Sequence, residues 1–291
     1  MVSPGDDQAL SRAEVSDADA VIIDLSQPML PGKELARQSA IEAVRWLSAR
    51  GMDILIWVHP DTAYDDVKGC VGPELMGVLI SAETTEEVWV VDRALTTQEM
   101  ALGVPVGTFQ IELVVSGPKA VLDIFDIAKA SPRINCLNLN AHSVISTLGV
   151  EESHEVDQLL YARGRLLVAA RLYGMEAHAL AFVPSKSNGE IASIGERALL
   201  ANKMGYRGAI CWDSDEVKVL NDAFMPSQDE IEYARDAKAA MEEAISQGKG
   251  AAVLRSGAIL DLAMLRHSDL MLSWADAIKR RDQGKLSSRG D

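Results

Sequence analysis

The chain is poor in the residues that announce most local chemistries. Its 291 residues include three cysteines, Cys70, Cys136 and Cys211, widely separated and in no C-x-x-C spacing. That pattern suggests neither a disulfide framework nor a thiolate metal site, and it predicts buried, reduced thiols. Basic residues are scarce as well: 28 Lys and Arg stand against 43 Asp and Glu, a formal net charge of -15. Sequence-independent binding to nucleic acid or to anionic lipid needs clustered Lys and Arg, so neither partner is expected. No apolar run approaches the ~18 residues of a membrane span. The opening Met1-Val2-Ser3-Pro4-Gly5, followed by Asp6-Asp7, has none of the features of a signal peptide. A soluble, cytoplasmic protein is the expectation. Nucleophile-elbow, Walker and zinc-protease motifs are missing too, and those catalytic classes fall away with them.

What is present is apolar content, 48% of the chain, enough for a large core. The clearest unit runs from residue 108 to 149. Residues 108–115, TFQIELVV, read as a strand that stops at Ser116-Gly117-Pro118, where Pro occupies a natural first helical position. Residues 120–130 then place Val121, Leu122, Ile124, Phe125 and Ile127 broadly on one helical face, and Ser131-Pro132 ends the helix. A second strand, 134–139, follows. Glu112 is a carboxylate inside an otherwise apolar strand, so it needs a partner or a shifted pKa.

The same alternation runs through the chain. Further strands are expected at 18–25, 54–59, 77–80, 177–183 and 209–212, with helices at 33–50, 86–100, 155–173 and 189–204 between them. Leu35, Ile41, Val44 and Leu47 are the expected inner face of the first of these helices. Strands alternating with helices imply parallel pairing. Seven strands and a stub at Val2-Ser3 predict an eight-stranded (β/α)8 TIM barrel of residues 1–226, with its chemistry at the carboxyl ends of the strands. A doubly wound open sheet is the alternative, weakened because no Gly-rich phosphate turn follows the early strands. Residues 227–291 read as a C-terminal helical extension. Its 251–279 stretch is apolar enough to need burial against a barrel face or another subunit, so a homo-oligomer is expected.

With these pieces placed, the chain resembles the β subunit of citrate lyase and its malyl-CoA and citramalyl-CoA lyase relatives. The resemblance is carried by VSPG, ADAVIIDL, PGKELAR, IELVV, SPRINCLNLNAHSVISTLG, RLLVAARLYG, MGYRGAICW, VLNDAFMPSQDEIEYA and GKGAAVLRSGAILD. It implies a metal-dependent aldolase-type barrel that cleaves carbon-carbon bonds in acyl-CoA or acyl-carrier thioesters. It also implies magnesium held by two carboxylates, and trimers or hexamers with an exchanged C-terminal helix. Laid residue by residue, the family's metal Glu falls on Glu112, but its Asp falls on Ser143 and the accompanying Gly on Asn140. The substrate-binding Arg falls on Trp57, the Asn beside it on His59, and a late His-Pro on Asp213-Ser214. The acidic pair after the first full strand falls on Ser26-Gln27, the Pro-Lys near Ser81-Ala82, and a further acid on Ala179, so only Asp24 and Glu112 match.

Those replacements predict a degenerate site. Magnesium requires several oxygen ligands in octahedral geometry, and one carboxylate with a Ser hydroxyl supplies too few. Trp57 has no planar fork with which to pair a carboxylate or thioester oxygen. Without metal or cation an enolate loses its main electrostatic support. The first expectation is therefore a noncatalytic binding or partner subunit. The rival is an active lyase on an acyl-CoA or small oxoacid with a remodelled site. For that rival, Trp57, His59, Glu112, Asn138, Asn140, His142 and Asp213 lie near strand ends, and His59, His142, Glu112 and Asp213 are a nitrogen and carboxylate set suited to zinc, iron or manganese. Glu112 and Asp213 are its candidate catalytic groups, Trp57, His59 and Asn140 its substrate contacts, and Glu112 with His142 its metal ligands. A purely structural subunit is the third reading. Trp57 either fills the barrel mouth or stacks on a ligand; His154 and His178 are given no role, and Arg163, Arg165 and Arg171 read as solvated or interface charges.

Overall fold

The computed structural model describes residues 1–27, 32–150, 157–180, 190–254 and 257–288. After helix α1 (Asp7–Val15), strands and helices alternate: β1 (Ala20–Leu25), α2 (Lys33–Ser48), β2 (Asp53–Val58), a 3-10 turn (Pro60–Thr62), α3 (Ala63–Cys70), β3 (Gly77–Ser81), α4 (Thr85–Leu102) and β4 (Gln110–Val115). Then come α5 (Pro118–Ala128), β5 (Ile134–Asn140), α6 (Ala141–Leu148), α7 (Leu160–Tyr173), β6 (Glu176–Leu180), α8 (Glu190–Met204), β7 (Gly208–Ile210) and α9 (Ser214–Phe224). All seven strands pair in parallel, each with its neighbour in sequence. Their near-continuous runs of Val, Ile and Leu are what a sheet covered on both faces requires.

In a flat sheet β1 and β7 would stand roughly 29 Å apart, six steps of about 4.8 Å. Yet Ile22 of β1 and Ile210 of β7 share one buried cluster with Leu55, Trp57, Leu79 and Val114, so the sheet is curled with its concave side filled. Beyond the strands, Asn221 Nδ2 donates to the Asp17 carbonyl at 3.0 Å, again joining the two ends of the sheet. Among the described residues the sheet has seven strands where eight were expected. The Val2-Ser3 stub contributes a single parallel bridge, Val2 to Ile23, because only the Val2 N–H and carbonyl reach β1, at 2.8 and 2.9 Å. The nitrogen of Met1 donates to the Cys211 carbonyl at 2.6 Å.

Two expected inner faces are corrected. In α2 the buried stripe is Ala40, Ala43, Val44 and Leu47, while Leu35 is 67% exposed. Five residues at about 100° each put Leu35 some 140° round the helix from Ala40. In α5 Leu122 is exposed for the same reason, lying about 200° from buried Ile124. Arg165 on α7 is no free surface charge: its guanidinium donates to the carbonyls of Val121 and Leu122 and stacks 4.9 Å over the Phe125 ring, tying α7 to α5. The expected helix at 155–173 begins at Leu160, and its residues 155 and 156, like 181–183 of the sixth strand, Gly189 and the whole 28–31 loop, lie outside the described residues.

The amino end of the sheet is closed by a buried ion pair. Arg133, just before β5, grips Glu99 of α4 through its two terminal guanidinium nitrogens, at 2.6 and 2.7 Å, and also reaches Asp92, Thr96 and the Phe109 carbonyl. Glu99 accepts in addition from the backbone N–H groups of Gly107 and Phe109, so every lone pair of this fully buried carboxylate is used. Burial alone would raise its pKa. The Arg133 guanidinium and the two backbone donors outweigh that and hold it below the usual carboxylate range.

Residues Met225–Asp291 form a second compact unit. A Ser227/Glu230 capping box starts α10 (Gln228–Ser246), the short antiparallel pair β8 (Ala252–Val253) and β9 (Ile259–Leu260) follows, and α11 (Leu262–Ser288) ends it. Ala237, Met241, Ala244, Ala252 and Leu260 are its core, and Lys238 meets Asp269 at 2.7 Å. The apolar 251–279 stretch is therefore a hairpin followed by a helix, and Val253, Ile259, Leu262 and Leu270 remain exposed.

Replacing Glu99 by Gln leaves Arg133 buried with its main countercharge gone, and we expect a loss of about 3–5 kcal/mol in urea unfolding of the first unit. Because the folded carboxyl titrates below its unfolded value, its contribution is complete above the unfolded pKa and disappears as pH falls through the lower, folded one. Wild-type stability should therefore fall below about pH 4, and the Gln variant should show less of that fall.

Candidate functional site

Three adjacent strands each carry a ligand-type side chain at their third residue: Glu112 in β4, Cys136 in β5 and His178 in β6. Pairing puts Glu112 opposite Cys136, while His178 lies opposite Asn138, and the imidazole leans back so that its Nδ1 is 3.2 Å from the Cys136 sulfur. Among the described residues this is the one group of three or more whose ligand atoms all lie within 4.8 Å of one another. Glu112 and His178 are half-buried and Cys136 is buried.

The neighbours fix these orientations. Asn138, fully buried, donates its Nδ2 to Glu112 Oε2 at 3.1 Å, which supplies the partner a carboxylate in an apolar strand needs. Its Oδ1 has no hydrogen-bond partner. His178 lies over Gly208 of β7, with which it pairs; a Cβ at 208 would stand 3.0 Å from the ring Cδ2 and 3.3 Å from Nε2. A glycine is thus what gives the imidazole room. Trp57 shares a register row with Asp24, Leu79 and Glu112, packs into the concave core at 6% exposure, and keeps its indole N–H unpaired.

The other candidates sit at or near element ends, and His59, Asn140, Asp213 and Asp24 are engaged there. His59 is half-buried, and its Nδ1 accepts from the Asp61 N–H at 3.2 Å, starting the 3-10 turn. Asn140 caps α6, its Oδ1 accepting from the Ser143 N–H at 3.1 Å. Asp213 caps α9 through the Asp215 N–H at 3.1 Å and is exposed, as is His142 on α6. Neither His142 nor Asp213 belongs to the group around Glu112. Asp24 accepts from the Ser26 N–H at 2.8 Å. His154 lies outside the described residues. His178 and Cys136 were the residues missed, and the available signal was the polar i, i+2, i+4 stripe of Cys136, Asn138 and Asn140 along one face of β5.

Chemically, the group offers one carboxylate, one thiol and one imidazole. Burial, and then the nearby Glu112 charge, push the Cys136 thiol well above its ordinary pKa, which makes it a poor nucleophile. Burial likewise raises Cys70 to about 12 and Cys211 to about 11.

Comparison with known proteins identifies the lineage. The profile of the HpcH/HpaI aldolase/citrate lyase family matches residues 1–212. The chain belongs to that family. It is 25% identical over 283 residues to citrate lyase subunit beta of Leuconostoc mesenteroides subsp. cremoris, covering 95% of this chain and 92% of the relative. It is also 25% identical over 307 residues to the L-malyl-CoA/beta-methylmalyl-CoA lyase of Cereibacter sphaeroides, covering 96% and 94%. A citrate lyase structure from Burkholderia xenovorans LB400 superposes with a TM-score of 0.74 at 16% identity over 94% of this chain and 88% of its own. The CitE protein of Mycobacterium tuberculosis, solved with magnesium, acetoacetate and coenzyme A, gives 0.65 at 20% identity over 92% and 95%. The overall fold is thus that of citrate lyase-like proteins. No described helix is long and apolar enough to cross a membrane.

We expect all three thiols of the native chain to resist iodoacetamide at pH 7.5 and to react promptly in 6 M guanidinium, as counted by intact mass. Rapid native labelling at Cys136 would contradict the buried, protonated thiol.

Proposed function

We propose that this family member does not run magnesium-dependent carbon-carbon cleavage and serves as a noncatalytic binding or partner subunit. The observation that carries the reading is the surrounding of Glu112. Where the resemblance places a second metal carboxylate stands Ser143, whose N–H is taken up by Asn140, and among the described residues the only His, Cys, Asp or Glu groups gathered with Glu112 are a thiol and an imidazole. Magnesium is a hard cation that takes oxygen ligands, so this donor set does not fit it. Trp57, at the position of the family's substrate-binding Arg, is packed in the concave core and cannot supply a bidentate cation.

An active lyase acting on an acyl-CoA or small oxoacid is the second reading, favoured by one observation: Glu112, Cys136, His178 and Asn138 still converge on a half-buried patch of the concave face. The parallel bridge at Val2 and the bond from Met1 to Cys211 support closure of the sheet as an eight-membered (β/α)8 barrel. The exposed Val253, Ile259, Leu262 and Leu270 support assembly as a homo-oligomer, a trimer or hexamer, through the second unit.

The test incubates the purified chain with malyl-CoA, citramalyl-CoA and a citryl thioester at millimolar Mg2+, following free acyl-CoA and oxoacid. No turnover above the protein-free blank is expected, while a thermal shift with acetyl-CoA or oxaloacetate alone would mark a binding role. Magnesium-dependent cleavage would overturn the proposal.

A further inference from the structure

We propose that Glu112, Cys136 and His178 form a binding site for a borderline-soft divalent cation of the zinc class, on the concave face of the sheet. The set mixes oxygen, sulfur and nitrogen donors, which suits zinc and excludes magnesium. The geometry is already close. With zinc bonds of about 2.3 Å to sulfur and 2.0–2.1 Å to nitrogen, the S to N edge of a tetrahedron is about 3.5 Å. The Cys136 sulfur and His178 Nδ1 stand 3.2 Å apart, so a movement of a few tenths of an ångström opens the edge.

Two further features point to a guest. Asn138 Oδ1 is fully buried, carries no hydrogen bond, and belongs to the side chain whose amide already holds Glu112. A buried acceptor without a partner costs free energy, and a cation or its bound water at this place would satisfy it. His178 is also held in position by what is missing at Gly208, since a Cβ there would press on the ring at 3.0 Å. Three protein ligands leave the fourth tetrahedral position open, the arrangement of zinc sites that take up water or a ligand oxygen. A carboxylate or keto oxygen of a small oxoacid is the ligand chemistry that position accepts. The inference rests on reading the site as stripped of its magnesium pair, but its test measures binding and no turnover.

The full-length chain, stripped with chelator and desalted, is titrated with Co2+ and then Zn2+ while absorbance is recorded. One equivalent of Co2+ should bind and give the near-ultraviolet charge-transfer band of a cobalt-thiolate bond, which Zn2+ abolishes and millimolar Mg2+ does not. Cys136→Ser should lose the band and weaken Zn2+ binding by about 100-fold. Gly208→Ala, which keeps all three ligands and crowds the imidazole, should weaken it by about 10-fold. Should the serine variant fail to fold, His178→Gln, which keeps the thiolate, should likewise weaken Zn2+ binding by about 100-fold, and circular dichroism of each chelated variant checks that it is folded. Failure to take up cobalt, uptake without the thiolate band, or a band that survives in Cys136→Ser would each overturn the site. Magnesium-dependent turnover would sink the proposed function and this inference with it; absent cobalt uptake would sink this inference alone and leave the proposed function standing.

Discussion

The buried pair of Arg133 and Glu99 is the constraint on which the rest of the first unit hangs. Arg133 stands immediately before β5, and Glu99 holds the N–H of Phe109, immediately before β4. One guanidinium and one carboxylate therefore set the start of two neighbouring strands. Three residues further along those strands stand Cys136 and Glu112. Ion pairs of this kind contribute little net stability compared with apolar packing, yet losing one partner strands a charge in a dry interior. Their value here lies in fixing geometry: two side chains on different strands are brought to one level by a lock at the far end of the sheet.

The concave face divides into an apolar part and a polar part. Ile22, Leu55, Trp57, Leu79, Val114 and Ile210 fill one part, and Glu112, Cys136, Asn138 and His178 occupy the other. An indole occupies the same row as Glu112, separated from it by Leu79, and a thiol and an imidazole gather beside the carboxylate.

The strands were legible because a buried parallel strand is a continuous apolar run, which survives any uncertainty about its neighbours. Glu112 was legible as a carboxylate in the middle of such a run, as Asp24 was near the end of β1. Its companions were not, since Cys136 and His178 lie in separate strands 42 residues apart and only the register of the sheet makes them neighbours. His142 and Asp213 looked like site residues because they follow strands closely. A residue just past a strand is often also at a helix start, and the Asp213 carboxylate goes to a backbone N–H there. The exposure of Leu35 and Leu122 shows the same limit: helical spacing tells which residues share a face, while the width of that face is set by the sheet it covers.

The curl of the sheet has a consequence for how the chain is made. Ile22 and Ile210 meet in one core cluster, and Asn221 bonds back to Asp17, so the concave core is complete only when the two ends of the first unit are both present. During translation, β1 and β2 can pair early, but the inner faces of the first strands stay wet until β7 leaves the ribosome. Such long-range closure is slow compared with local pairing and exposes apolar strand edges in the interval. Substitutions that weaken the meeting of β1 and β7 should therefore lower the yield of folded protein more than they lower the stability of molecules that have already folded.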